Sequence, residues 1–411
     1  MATAAQVESG GTGARRGTAF ATLALCYLVA MLEGFDLQAA GVAAPKLAPA
    51  FGLTAGQLGL FLSISTFGLM VGAAIGGRLS DRFGRKTVLI GSVAAFGVLS
   101  VLNGLAPTYE VLLLARFLTG VGLGGALPNL VALVNENATK GNKSAFVGAL
   151  YAGMPSGGAV VSLVSAGSTW QMIFILGGVL PLVMTPVLLR FLPESQELRA
   201  VKAADAAAPQ RTSLVGALFA NGRAAPTVTL WLSFFLALLA FYVLLSWLPT
   251  LMVSRGLPRP QAALVQVSFN ICSAAASVAT GLMMDRLSLK AMVLGTFGLA
   301  IAGLGLLYAA PVELAVSLVV GGLVGASISS TQSLLYALAP ALYPTEVRGS
   351  GVGSAVSIGR IGSGVGPLVA GALLGGGAPP QLVVAVLVPV IAVSGLAALA
   401  VAFTRRPQSA A

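Results

Sequence analysis

Twelve times along this chain of 411 residues, an apolar run is closed by charges or by proline and glycine. A helix crossing the hydrocarbon core of a bilayer needs roughly 20 apolar residues, because lipid offers no partner to an unpaired backbone group. Repetition of such runs leaves one architecture, an all-α integral membrane protein. The expected spans are 18–44, 55–79, 87–105, 109–134, 144–167, 171–192, 227–253, 260–284, 291–310, 312–339, 347–374 and 382–403. Composition agrees: 57% of residues are hydrophobic and 9% charged, where a soluble domain carries about 25% charged residues.

The chain has no histidine, and Cys26 and Cys272 lie far apart in apolar runs. That removes the usual zinc ligand and the usual catalytic base, and it suggests neither a metal site nor a disulfide framework. Any proton handled here rides on a carboxylate or on water. The formal net charge of +11 is scattered between apolar runs, so no nucleic-acid partner is expected. Its placement speaks of topology instead. With both termini cytoplasmic, eighteen Lys and Arg fall inside and only Lys46, Arg255 and Arg259 outside, the asymmetry of a membrane protein.

The long polar stretch after the sixth run divides the chain into halves. Residues 1–17 read as a cytoplasmic N-terminal tail, 18–192 as a six-helix bundle, 193–226 as a cytoplasmic central loop, 227–403 as a second six-helix bundle and 404–411 as a cytoplasmic tail. A repeat supports the division. "GGRLSDRFGRK" from Gly76 has a worn counterpart, "TGLMMDRLSLK", 204 residues later at Thr280. Two pseudo-symmetric halves in parallel suit alternating access.

These motifs resemble the major facilitator superfamily. "GRLSDRFGRK" looks like its loop signature, and "RFLTGVGLGGALPN" and "YPTEVRGSGVG" resemble its other landmarks. "EGFDLQAAG" in the first helix is similar to the acid-x-x-Asp motif of the aromatic acid:proton symporter family, with Glu33 where that family usually has Asp. The resemblance implies the major facilitator fold and a secondary active transporter, not an enzyme. It implies proton-coupled uptake of an aromatic carboxylic acid, such as 3-(3-hydroxyphenyl)propionate, across the cell inner membrane. The carrier would work as a monomer, without a cofactor, driven by the proton gradient. "GMPSGG" at 153–158 only loosely resembles the GPxxGG pattern of proton-coupled exporters, which favours uptake over efflux. An exporter of aromatic or drug-like compounds, an uncoupled facilitator and a membrane sensor remain the alternatives.

Charges inside the spans are the candidate machinery, since each costs at least about 2.5 kcal/mol at the bilayer centre. Glu33 and Asp36, three apart, share a helix face. At the helical rise, Asp36 and Arg116 reach similar depths, about 12 and 10 Å below the outer ends of their helices. Asp36, assisted by Glu33, is the expected proton carrier and Arg116 its switchable partner; the alternative is a permanent ion pair that fixes packing. Arg360, in the eleventh span, offers a fork of donors to a substrate carboxylate, or pairs with Asp36 or Glu33 in the empty carrier. Gln38, Gln266, Asn270, Gln332, Tyr151, Tyr242 and Tyr336 are the expected anchors for an aromatic acid, Gln266 and Asn270 sharing one face. Trp247 is read as an aromatic-belt residue. Asp81, Arg85, Glu136, Asp285, Glu346 and Arg348 are the expected gating residues, with Arg85 reaching Glu136.

Overall fold

A computed structural model describes the backbone of residues 2–137, 143–193, 218–219, 222–284, 286–343 and 347–404, and their side chains apart from 2–19, 81, 143–145, 147 and 404. Asp285 and Glu346 lie outside the described residues, as does the side chain of Asp81.

Among the described residues the long elements are thirteen helices and no strands. They are α1 (Ala2–Phe51), α2 (Ala55–Phe83), α3 (Arg85–Gly104), α4 (Tyr109–Gly124), α5 (Ala126–Asn137), α6 (Lys143–Gly167), α7 (Trp170–Phe191), α8 (Ala224–Ser254), α9 (Arg259–Met284), α10 (Leu289–Ala309), α11 (Leu314–Leu342), α12 (Arg348–Gly375) and α13 (Pro380–Thr404). Helices α4 and α5, parted at Gly125, form a single span, Tyr109–Asn137, so that twelve helices are long and apolar enough to cross a membrane. Their ends fall close to the sequence expectation, with α1 the exception.

Helix α1 does not stop before Pro45. It continues through Pro45 and Pro49 to Phe51 and ends at Gly52, whose φ of 61° few other residues adopt. Proline removes one N–H from a helix, a defect that neighbouring helices can offset inside a membrane protein. Here a neighbour is tied on directly: Lys46 Nζ donates to the carbonyls of Ser165 and Ser168. These sit at the C-terminal end of α6, where the last carbonyls lack intrahelical donors. Arg255 does the same for α10, donating to the carbonyls of Leu307 at 2.6 Å and Ala310 at 2.9 Å. Burial lowers the pKa of that guanidinium from its ordinary value.

By contacts the chain forms two compact units. One comprises Met1–Leu37, Gly68–Gly157 and Phe174–Ala207; the other comprises Gln38–Phe67, Gly158–Ile173 and Ala208–Ala411.

The first unit is organised around an apolar core in which Cys26, Val29 and Ala30 of α1 meet Leu89, Val93 and Phe96 of α3 and Leu130 and Leu133 of α5. Between α2 and α3 stands Gly84 at φ 101°. A single residue at this left-handed angle lets one helix stop and the next begin at Arg85, which explains the glycine of the loop signature. Helices α1 and α6 touch through backbone. A Cβ at Gly34 would overlap the backbone of Met154, and one at Gly157 would overlap Met31 O and Phe35 N. Small residues at such crossings give lipid-embedded helices their dispersion contacts.

The second unit repeats the device. Gly362 and Gly366 of α12 lie against the carbonyls of Phe235 and Leu239 on α8, and Gly325 of α11 against that of Phe269 on α9. The end of α1 and the start of α2 pack here as well: a Cβ on Gly41 would stand 2.8 Å from Ser246 O, and one on Gly59 2.9 Å from Pro367 O. Trp247 is 1% exposed and donates from Nε1 to the Pro367 carbonyl at 3.1 Å. It is a packed core residue, and the aromatic-belt reading of it is corrected.

Candidate functional site

In the first unit, α1 carries Glu33 and Asp36 inward, and they are 2% and 0% exposed. Helix α4 brings Arg116, 1% exposed, so that its Nη1 donates to Asp36 Oδ2 at 3.1 Å. The other carboxylate oxygen, Oδ1, lies 2.7 Å from Ser100 Oγ on α3. That hydroxyl also lies 3.1 Å from the Phe174 carbonyl. With one proton to give, it serves the shorter contact, to a charged acceptor. The Arg116 guanidinium stands 5.4 Å over the ring of Phe174, a cation–π contact that replaces some of its lost hydration.

Asp36 is thus held by a cation and a hydroxyl in a dry surrounding. The spacing of Asp36 and Arg116 was legible in the sequence, whereas Ser100 and Phe174 were not.

In the second unit, three buried amides converge. Gln38 Oε1 accepts from Asn270 Nδ2 at 2.8 Å and from Gln266 Nε2 at 3.4 Å. Gln266 and Asn270 are also joined along α9, Asn270 Nδ2 donating to the Gln266 carbonyl at 3.0 Å. The expected shared face therefore exists, and α1 meets it through Gln38.

Arg360 of α12 donates from Nη1 to the Tyr242 hydroxyl of α8 at 3.0 Å. Tyr242 is 8% exposed and makes an edge contact with Phe241, ring centroids 5.7 Å apart. Tyr336 meets Phe234 edge-on at 5.4 Å, and Gln332, one turn earlier on α11, is partly buried. Tyr151, in contrast, is 46% exposed.

The loop residues show a pair as well. Arg85, at the first position of α3, forms an ion pair with Glu136 near the end of α5. Arg348 at the start of α12 donates from Nε to the Tyr343 carbonyl at 3.4 Å. Burial raises the pKa of the Tyr343 phenol, whose hydroxyl donates to Thr227 Oγ1 at 3.1 Å. Among the described residues no group of His, Cys, Asp and Glu has the makings of a metal site.

Known proteins extend this picture. The sequence model of the Major Facilitator Superfamily matches residues 26–367 and 230–411. The chain is 42% identical over 344 residues to the 3-(3-hydroxy-phenyl)propionate transporter of Escherichia coli (strain K12), covering 83% of each chain. It is 34% identical over 371 residues to the 4-hydroxybenzoate transporter PcaK of Pseudomonas putida, covering 82% of each. Among solved structures, a D-xylose-proton symporter superposes with a TM-score of 0.76 at 18% identity, over 95% of this chain and 98% of that one. A bacterial homolog of the human lysosomal transporter Spinster gives 0.73 at 16% identity, over 96% and 99%. Shared fold and extended sequence identity lead to one conclusion: this chain, a multi-pass membrane protein related to transporters and not to enzymes, belongs to the Major Facilitator Superfamily.

Proposed function

We propose that the protein is a secondary active transporter that takes up a small aromatic carboxylic acid together with a proton across the cell inner membrane. Relatives named for 3-(3-hydroxy-phenyl)propionate and for 4-hydroxybenzoate support the cargo class. The observation that carries proton coupling is the Asp36–Arg116 pair, closed off from solvent and shared with Ser100.

Asp36 takes the proton, with Glu33 as the nearby second acid. Protonation weakens the hold on Arg116, and alternating access follows from the difference in contacts between the two states. Arg360, steadied by Tyr242, receives the substrate carboxylate, because its planar fork matches two carboxylate oxygens. Gln38, Gln266 and Asn270 anchor the polar remainder of the molecule, and Tyr336 and Gln332 flank the ring. The Arg85–Glu136 pair acts in gating, with Asp81, Asp285, Glu346 and Arg348 in the same role. The carrier works as a monomer with both termini cytoplasmic, its six-helix halves 18–192 and 227–403 moving against each other, and needs no cofactor beyond the gradient.

Uptake of a radiolabelled aromatic acid by energised vesicles tests this reading. Accumulation against a concentration gradient should require an inward proton gradient and should be lost in Asp36→Asn. Accumulation that ignores the proton gradient would refute the coupling.

A further inference from the structure

Gln38, Gln266 and Asn270 are 5%, 0% and 1% exposed, and the direction of their hydrogen bonds can be deduced. A backbone carbonyl only accepts, so the amide atom facing it is nitrogen. Asn270 places Nδ2 3.0 Å from the Gln266 carbonyl; the same nitrogen stands 2.8 Å from Gln38, whose facing atom is therefore oxygen. Gln266 places Nε2 3.5 Å from the Leu245 carbonyl and 3.4 Å from that Gln38 oxygen. Its own oxygen consequently turns away from the cluster. Among the described residues no donor reaches Gln266 Oε1, although the side chain is fully buried.

A second observation concerns the "GMPSGG" stretch. A Cβ on Gly158 would overlap the carboxamide of Gln38 at its nitrogen, carbon and oxygen. The second glycine of the pair is thus the floor on which the Gln38 amide rests, a role separate from the backbone contact made by Gly157. Any side chain at 158 displaces the amide that Gln266 and Asn270 both address.

We propose that Gln266 Oε1 is the acceptor that selects a hydroxyl group on the aromatic ring of the cargo, and that Gly158 is a positioning residue for it, acting through Gln38. This rests on the reading of the cargo as an aromatic acid. A dry acceptor without a donor favours a ligand that brings one and penalises the analogue that leaves it unpaired. A carboxylate cannot fill this place, since it presents only acceptors to an acceptor; a phenol can.

The test is initial-rate uptake by the purified full-length protein in proteoliposomes, comparing 3-(3-hydroxyphenyl)propionate with unhydroxylated 3-phenylpropionate. In the wild type the hydroxylated acid should have a KM lower by roughly tenfold or more. In Gln266→Leu and Gly158→Ala the ratio of the two KM values, read within each protein, should fall towards one. Equal KM values in the wild type would overturn the proposal even if both variants failed to fold, and would assign the oxygen to a structural water. A ratio unchanged in either folded variant would overturn it too. Transport of neither acid would defeat the aromatic-acid reading itself, so the two failures are distinguishable.

Discussion

Arg116 and Asp36 meet at 3.1 Å with 1% and 0% of their side chains exposed. A buried pair of this kind is not a source of stability in itself, since desolvation offsets the attraction. Breaking it from one side leaves a naked charge, at about 3–5 kcal/mol. Arg116→Ala should therefore lower the thermal stability of the detergent-solubilised protein. The double variant Asp36→Asn/Arg116→Gln should recover most of that loss. Recovery of stability without recovery of proton-driven accumulation would separate the functional role of the pair from a packing role; recovery of both would leave the pair with packing alone.

Ser100 holds the second carboxylate oxygen at 2.7 Å. A hydrogen bond to a charged group contributes roughly 1.5–3 kcal/mol, so Ser100→Ala should be measurably destabilised. Ser80 provides the comparison, because its hydroxyl bonds the Gly76 carbonyl of its own helix at 2.7 Å. Differential scanning fluorimetry of both alanine variants should show the larger shift for Ser100. Equal shifts would mean that the contact with Asp36 adds nothing.

For Arg360, the Tyr242 hydroxyl at 3.0 Å fixes one arm of the guanidinium. Lysine keeps the charge and loses the fork, and Arg360→Lys should raise the KM for the aromatic acid about tenfold, or 1.4 kcal/mol. Tyr242→Phe should do so by less. Unchanged KM in Arg360→Lys would remove this residue from the binding site.

Arg85 and Glu136 provide a charge-reversal experiment. Each single reversal, Arg85→Glu or Glu136→Arg, places like charges together and should slow transport. The double reversal should restore a substantial part of the rate. No restoration would mean that Arg85 acts through another partner.

Number and placement of the spans were legible because each apolar run answers to one requirement, the thickness of the hydrocarbon core. The end of α1 was misjudged at Pro45 because the general rule against proline in helices is relaxed where neighbouring helices surround the chain. In the site, Asp36 and Arg116 stood out because charges are rare inside spans. Ser100 did not. Several serines in these helices bond a carbonyl of their own helix, as Ser162 does with Gly158 at 2.6 Å, and nothing in the sequence marks the one that reaches across to a carboxylate. The Arg360–Tyr242 contact joins residues 118 apart, and only the packing of α8 on α12 brings them together.

Lys46 and Arg255 each rest their cation on carbonyls at the end of another helix. The negative end of a helix dipole partly offsets such a charge, and these are two of the three basic residues expected on the outer side of the membrane. On the proposed topology, that face projects little positive field into the water. On the proposed uptake of an anionic acid from that side, long-range attraction contributes little, and the capture rate should vary little with ionic strength. Discrimination among acids then falls to short-range contacts within the helices.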